Sequence, residues 1–244
     1  MNLFNKIFKK PKGYKIKPEI INDVSSRTEW RVPSNYGWLK CKLNQKELDY
    51  VWECVNNKKH NVNKTLAGNI SNSYQLVDKN AWFFKNTLLS LLCLYEDQFT
   101  KVGKGYPQDT ISKNNTYRGI YELSSWWVNY QKQHEFNPLH DHTGVYSFVI
   151  WLKIPTEFEE QNRNETNNSP EKSSFSFLYH NILGQIKTEM FPLGKEYEGT
   201  LVFFPSTLKH CVQPFYNCTE DRISVSGNIA LSFDRLPNYR IPYY

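Results

Sequence analysis

The spacing of hydrophobic positions changes part-way along the chain. Asn44 precedes Leu48, Val51, Trp52 and Val55 at helical spacing, and Glu47 stands three residues after Asn44, the spacing of a capping box. This predicts a helix that ends at Asn56-Asn57-Lys58-Lys59. A second, longer helix is predicted over residues 79–100, with Trp82, Phe83, Leu88, Leu89, Leu92, Tyr95 and Phe99 on its buried side. Residues 66–70 read as a loop or short strand around Gly68, and 102–115, with Gly103, Gly105 and Pro107, as a loop. From Tyr117 onward the apolar runs are short, β-branched and aromatic, and turn residues bound them. Strands are predicted at 117–123, 126–132, 146–154, 174–179, 199–204 and 222–231. Between them, 155–173 is polar and reads as a surface loop.

Two helices followed by a run of strands predict a mainly β fold with flanking helices: a double-stranded β-helix (a cupin-like jelly roll) with the helices packed on one sheet. The jelly-roll core is expected over about 117–232, helical support over 44–100, and one domain over 41–244. Residues 1–40 lack periodicity and read as an extended basic arm, with one short strand near 14–20.

Composition narrows this picture only a little. The net charge is +6, and Lys6, Lys9, Lys10, Lys12, Lys15 and Lys17 concentrate it in the arm. That segment reads as a solvated terminus or as a footprint for an acidic partner. Nucleic acid is possible on charge alone but is not favoured. The 5 cysteines are odd in number and match no zinc or redox spacing, so they read as reduced thiols of a cytoplasmic protein. No apolar run approaches a membrane span, and Met1-Asn2-Leu3-Phe4 opens no signal-peptide core.

The candidate chemistry lies in the strand-rich part. On a strand, His140 and His142 point to the same side and Asp141 to the other, so two imidazoles can reach one ion. His210 follows Phe203-Phe204-Pro205, where the chain enters its next strand. Beyond it, Arg222-Ile223-Ser224-Val225-Ser226 alternates, so Arg222, Ser224 and Ser226 share a face. An arginine facing into a barrel needs an anion, and its planar fork suits a carboxylate.

Two segments carry a resemblance. One is Trp127-Val128-Asn129-Tyr130, Asn137-Pro138-Leu139-His140-Asp141-His142 and Ser147-Phe148-Val149-Ile150-Trp151-Leu152. The other is Gly199, Phe203-Phe204-Pro205-Ser206, His210, Val212, Pro214 and Arg222-Ile223-Ser224-Val225-Ser226-Gly227-Asn228. Together they resemble the 2-oxoglutarate- and Fe(II)-dependent oxygenases, above all the prolyl-hydroxylase-like members of bacteria and phages. The resemblance implies a hydroxylase that uses Fe(II), 2-oxoglutarate and O2 and releases succinate and CO2. Its substrate would be a protein side chain or a small molecule, met in the cytoplasm (of the host, if phage-encoded). His140 and His210 would bind iron, Arg222 and Ser224 would hold the C5 carboxylate of 2-oxoglutarate, and Tyr130 or Asn129 would reach its other end. The family's usual pattern is H-x-D/E, but here His142 stands in the acidic position. Either His142 completes a three-histidine site, or a local backbone shift lets Asp141 ligate. Two other readings remain: a three-histidine dioxygenase without 2-oxoglutarate, and a non-enzymatic jelly-roll binding protein.

Overall fold

The computed structural model describes residues 25–29, 36–99, 117–163 and 170–235. The chain divides into two units, Met1–Pro33 and Ser34–Tyr244. In the first, only 25–29 are described, so the predicted strand near 14–20 lies outside the described residues, as does the whole of the predicted loop at 102–115. The second unit holds, in chain order, β1 (Leu39–Lys42), α1 (Gln45–Asn56), β2 (Asn72–Gln75), α2 (Leu89–Phe99), β3 (Tyr117–Gln131), β4 (Asn137–His140), β5 (Tyr146–Lys153), α3 (Phe158–Asn162), β6 (Ser174–His180), β7 (Ile186–Pro192), β8 (Thr200–Pro205), β9 (Lys209–Val212) and β10 (Arg222–Arg235).

The strands form two antiparallel sheets. The larger runs β1-β8-β5-β10-β3-β2 and the smaller β4-β9-β6-β7. This is the expected mainly β, jelly-roll architecture. Among the described residues, α1 and α2 back the larger sheet: Val51, Cys54 and Val55 of α1 and Leu91, Leu92 and Tyr95 of α2 pack on Tyr146, Phe148, Ile150 and Leu152 of β5 and on Val225 and Ile229 of β10. The alternate residues of β5 and β8, Val149, Trp151, Val202 and Phe204, face Phe175 and Phe177 of β6 and Phe191 of β7. Seven of the eight β5 residues are therefore buried, because it is covered on both faces.

The capping box forms as read. The Asn44 side chain accepts from the Glu47 backbone N–H at 3.0 Å, and the Glu47 carboxylate accepts from the Asn44 N–H at 2.8 Å. The second helix is shorter than predicted. A 3-10 turn occupies Lys79–Ala81, where Asn80 takes a left-handed φ of 57°, and a π turn spans Phe84–Leu88 before α2 begins. The cause is Asp78, whose carboxylate accepts the Phe83 and Phe84 N–H groups, each at 2.9 Å, and so caps the helix past the kink. Phe83 then stacks on Trp126 with ring centroids 5.4 Å apart.

The strands predicted at 117–123 and 126–132 are one strand. β3 continues through them, and its pairing with β10 slips by one residue at Asn228/Ile229, leaving Ser124 as a bulge. Five strands, β1, β2, β4, β7 and β9, lie outside the strand ranges predicted from the sequence, and β1 begins inside the segment read as an arm. The polar loop 155–173 contains the short helix α3.

β10 owes its close fit against β5 and β3 to Gly227. A Cβ there would stand 2.7 Å from the buried Phe148 ring and 2.8 Å from the Ser125 carbonyl. Gly227→Ala should therefore cost about 1–3 kcal/mol of stability through overpacking. Urea unfolding of variant and wild type measures it, and an unchanged midpoint would contradict the packing described.

Candidate metal and anion site

The register of the smaller sheet sets the site. His140, the last residue of β4, pairs directly with His210 on β9. His142 lies two residues past the end of β4, where its backbone N–H donates to the Ser206 carbonyl at 2.8 Å. The three rings converge, with one nitrogen from each lying within 4.8 Å of the others. The Nε2 atoms of His142 and His210 are 3.2 Å apart. Two nitrogens each about 2.1 Å from a shared ion would lie roughly 3.0 Å apart at a right angle and 3.4 Å at a tetrahedral one. The observed spacing therefore suits a common metal.

The tautomers suit it as well. His140 Nδ1 lies 2.7 Å from the Pro138 carbonyl and His210 Nδ1 lies 2.8 Å from the Leu208 carbonyl. A carbonyl can only accept, so each Nδ1 carries the proton and each Nε2 keeps its lone pair. Burial, reinforced by the His140 charge, lowers His210 to about 3 and His142 to about 4. Both are neutral at physiological pH and face no proton competition for a metal. Phe175 and Phe204 stand against His210, with ring centroids at 5.6 and 5.0 Å. Asp141 turns the other way. Its carboxylate pairs with Lys209 Nζ at 2.7 Å, and that hydrogen bond holds its pKa below the usual value. Among the described residues the converging nitrogens are those of His140, His142 and His210, while the Asp141 carboxylate stays with Lys209.

Arg222, at the start of β10, is 1% exposed. No carboxylate pairs with it among the described residues. Its Nη2 donates to Ser173 Oγ at 2.6 Å, and Nη1 reaches Gln131 Oε1 at 3.4 Å and the Gln213 carbonyl at 3.5 Å. Nε has no partner. The Phe215 ring lies 4.8 Å from the guanidinium carbon. Burial alone lowers the guanidinium to about 9, so it is still charged at neutral pH. A buried charge balanced only by neutral oxygens is costly unless an anion arrives.

One cavity of about 480 Å³ joins the two parts, lined by the three histidines, Arg222, Ser224, Ser226, Asn129, Gln131 and Trp127. The alternation read on β10 thus holds. Asn129 is on the cavity face, where its Oδ1 accepts from Ser73 Oγ at 2.7 Å. Tyr130 is not, and its expected contact with the co-substrate is corrected. It lies on the opposite face of β3, with its ring 6.1 Å from Tyr74 and under Lys58. Sequence reasoning missed Gln131 and Trp127, which the same alternation on β3 would have found. It also missed Ser173, which no local signal marks.

Fold and site together define a jelly-roll protein with an imidazole cluster and a buried guanidinium in one cavity. Residues 125–228 match the model of a family described as "Putative 2OG-Fe(II) oxygenase". Proteins of that description use Fe(II) and 2-oxoglutarate. No curated protein matches the sequence. Among solved structures the chain is similar to a prolyl-4-hydroxylase from Pseudomonas putida, with 15% identity over 87% of this chain and 97% of that one and a TM-score of 0.44. It is also similar to a 2OG-Fe(II) oxygenase family oxidoreductase from Burkholderia pseudomallei, at 13%, 80%, 84% and 0.46 in the same order. HygX from Streptomyces hygroscopicus, solved with nickel, 2-oxoglutarate and hygromycin B, gives 10%, 88%, 87% and 0.40. No described helix is long and apolar enough to cross a membrane.

The imidazole shifts have a consequence for stability. His142 and His210 have folded-state values below their ordinary 6.5, so below that pH the unfolded chain binds more protons than the folded one. Metal-free protein should lose stability as pH falls from about 6.5 towards 4, with no contribution from these groups above about 7. Denaturant unfolding across that window checks it. His210→Asn should flatten the slope, and an unchanged slope would mean that His210 is not held neutral.

Proposed function

We propose that this chain is an Fe(II)- and 2-oxoglutarate-dependent dioxygenase that hydroxylates a protein side chain. In this reading His140, His142 and His210 hold the iron, and Arg222, with Ser224 beside it, holds the distal carboxylate of 2-oxoglutarate. The observation that carries it is the buried Arg222 guanidinium, without a carboxylate partner, in the same cavity as three converging imidazoles.

Iron, when bound, supplies the redox chemistry that couples decarboxylation of 2-oxoglutarate to oxygen insertion into a C–H bond, with release of succinate and CO2. The protein's own work is positional. The Pro138 and Leu208 carbonyls fix the ring orientations of His140 and His210 through their Nδ1–H groups. Phe175, Phe177 and Phe204 keep water from the back of His210. Arg222 offers a fixed charge and a planar donor edge, which orients a dicarboxylate along the cavity. With His142 in place of the usual acid, the ligands bring no negative charge, so the co-substrate's carboxylates supply all of the compensation.

A polypeptide substrate suits the rim. β4 is an edge strand, and Phe136 and Leu139 stand exposed beside His140. An extended segment could lie along this edge with one side chain entering the cavity. The free cysteines support a reducing, cytoplasmic setting for this activity.

Wild type loaded anaerobically with Fe(II) should bind 2-oxoglutarate and release succinate once oxygen is admitted. His210→Ala should lose iron and turnover together. Arg222→Gln should keep iron but weaken 2-oxoglutarate binding by roughly 100-fold, as removal of one partner from a buried charge pair does. Asp141→Ala should keep both. Retention of iron and turnover by His210→Ala would sink the ligand assignment. Tight iron binding with no affinity for 2-oxoglutarate would point instead to a three-histidine dioxygenase, and no metal binding to a binding protein.

A further inference from the structure

Arg222 is steered by a residue that contributes nothing to the cavity lining. Ser173 lies outside the three-histidine cluster, at the foot of β6, and is completely buried. Its φ of +56° is left-handed, a region that serine enters only when its surroundings demand it. Those surroundings are visible. The Ser173 backbone N–H donates to the Pro214 carbonyl at 2.9 Å, and the Leu193 N–H donates to the Ser173 carbonyl at 2.9 Å. The strained turn is thus pinned at both ends, and it delivers the side chain to Arg222. Ser173 Oγ donates its proton to the Leu193 carbonyl at 3.1 Å and accepts from Arg222 Nη2 at 2.6 Å, the shortest contact the guanidinium makes. Thr156 Oγ1, at 3.4 Å, completes its surroundings.

The hydroxyl's proton is committed to a carbonyl, so its lone pair is fixed in direction and Nη2 must meet it. Nη1 is held at the other end by Gln131 and the Gln213 carbonyl. What remains is the side of the guanidinium that carries Nε–H and the second N–H of Nη2, and Nε is the atom with no partner. That pair of parallel donors is one of the two edges on which guanidinium takes a carboxylate in bidentate fashion. A glycine would adopt this backbone more easily. A hydroxyl is nevertheless present, and its lone-pair contact is to Arg222.

We propose that Ser173 is a positioning residue for the anion site: its hydroxyl holds the end of the Arg222 guanidinium and so reserves the Nε edge for the carboxylate of the co-substrate. This rests on the reading of Arg222 as the 2-oxoglutarate anchor. It adds a residue about fifty positions upstream, from the turn that leads into β6, to the part of the site that recognises the co-substrate.

Ser173→Gly tests it without a folding penalty, because glycine relieves the left-handed strain. Thermal midpoint and Fe(II) affinity should be unchanged or improved. Affinity for 2-oxoglutarate, read by calorimetry on the iron-loaded full chain under nitrogen, should fall about tenfold or more, as loss of a hydrogen bond to a charged group does. Ser173→Ala keeps the strain and should lose the same affinity with a lower thermal midpoint. If affinity instead followed thermal stability across the two variants, or if Ser173→Gly bound 2-oxoglutarate as wild type does, the proposal would be overturned. The nitrogen-15 NMR signal of Arg222 Nε–H in ligand-free protein gives a second readout. It should broaden or shift in Ser173→Gly, and an unchanged signal would likewise overturn the proposal. Wild type that binds no 2-oxoglutarate, with an Arg222 signal that still responds to Ser173→Gly, would overturn the co-substrate reading and leave the Ser173 contact established.

Discussion

The structure depends on strands that are buried on both faces and whose two faces differ in character. In β10, Ile223, Val225 and Ile229 pack with the helix-backed core, and Arg222, Ser224, Ser226 and Asn228 line the cavity. In β3, Val128 and Tyr130 face the helices, and Asn129 and Gln131 face the cavity. A one-residue slip in either strand would exchange the two sets, putting a guanidinium among leucines and a valine in the metal cavity. The apolar face therefore determines where the polar face points, and the helices α1 and α2 help to position a site they do not touch.

The same alternation organises the charges. His140 and His210 pair across β4 and β9, and their sequence neighbours Asp141 and Lys209 meet on the outside of the strands. Opposite charges thus sit on the solvent side, where screening makes such a pair worth little, and neutral rings sit inside. Within the cavity the buried formal charge is that of Arg222. Its neighbours Gln131 and Ser173 solvate it with dipoles but do not cancel it. This is the electrostatic signature of a place kept for an anion, and it differs from a structural ion pair, which would be complete without a ligand.

Much of this was legible in the chain. The switch from helical to two-residue spacing gave the fold, and the context of His210 and the alternation after Arg222 gave the core of the site. Legibility failed for particular physical reasons. β2 reads Asn-Ser-Tyr-Gln and β7 is mostly exposed, so neither shows an apolar pattern. β4 contains Pro138, which argues against a central strand but is tolerated at the sheet edge it occupies. The kink at Asn80 is set by Asp78, whose capping role is visible only once the helix direction is known. Tyr130 is one residue out of phase with Asn129 in the two-residue repeat, which turns it to the opposite face. Ser173 joins the site through tertiary contacts alone.

The all-nitrogen character of the histidine cluster has a further consequence for metal choice. Without a carboxylate the proposed ligand set offers nothing that magnesium or calcium would prefer, and it sits among the borderline donors that nickel, copper and zinc bind at least as well as ferrous iron. Discrimination among those ions then falls to supply inside the cell and to the co-substrate that completes the coordination shell. In the proposed function, the protein would be selective for a class of metals, and its co-substrate and surroundings would make iron the ion it uses.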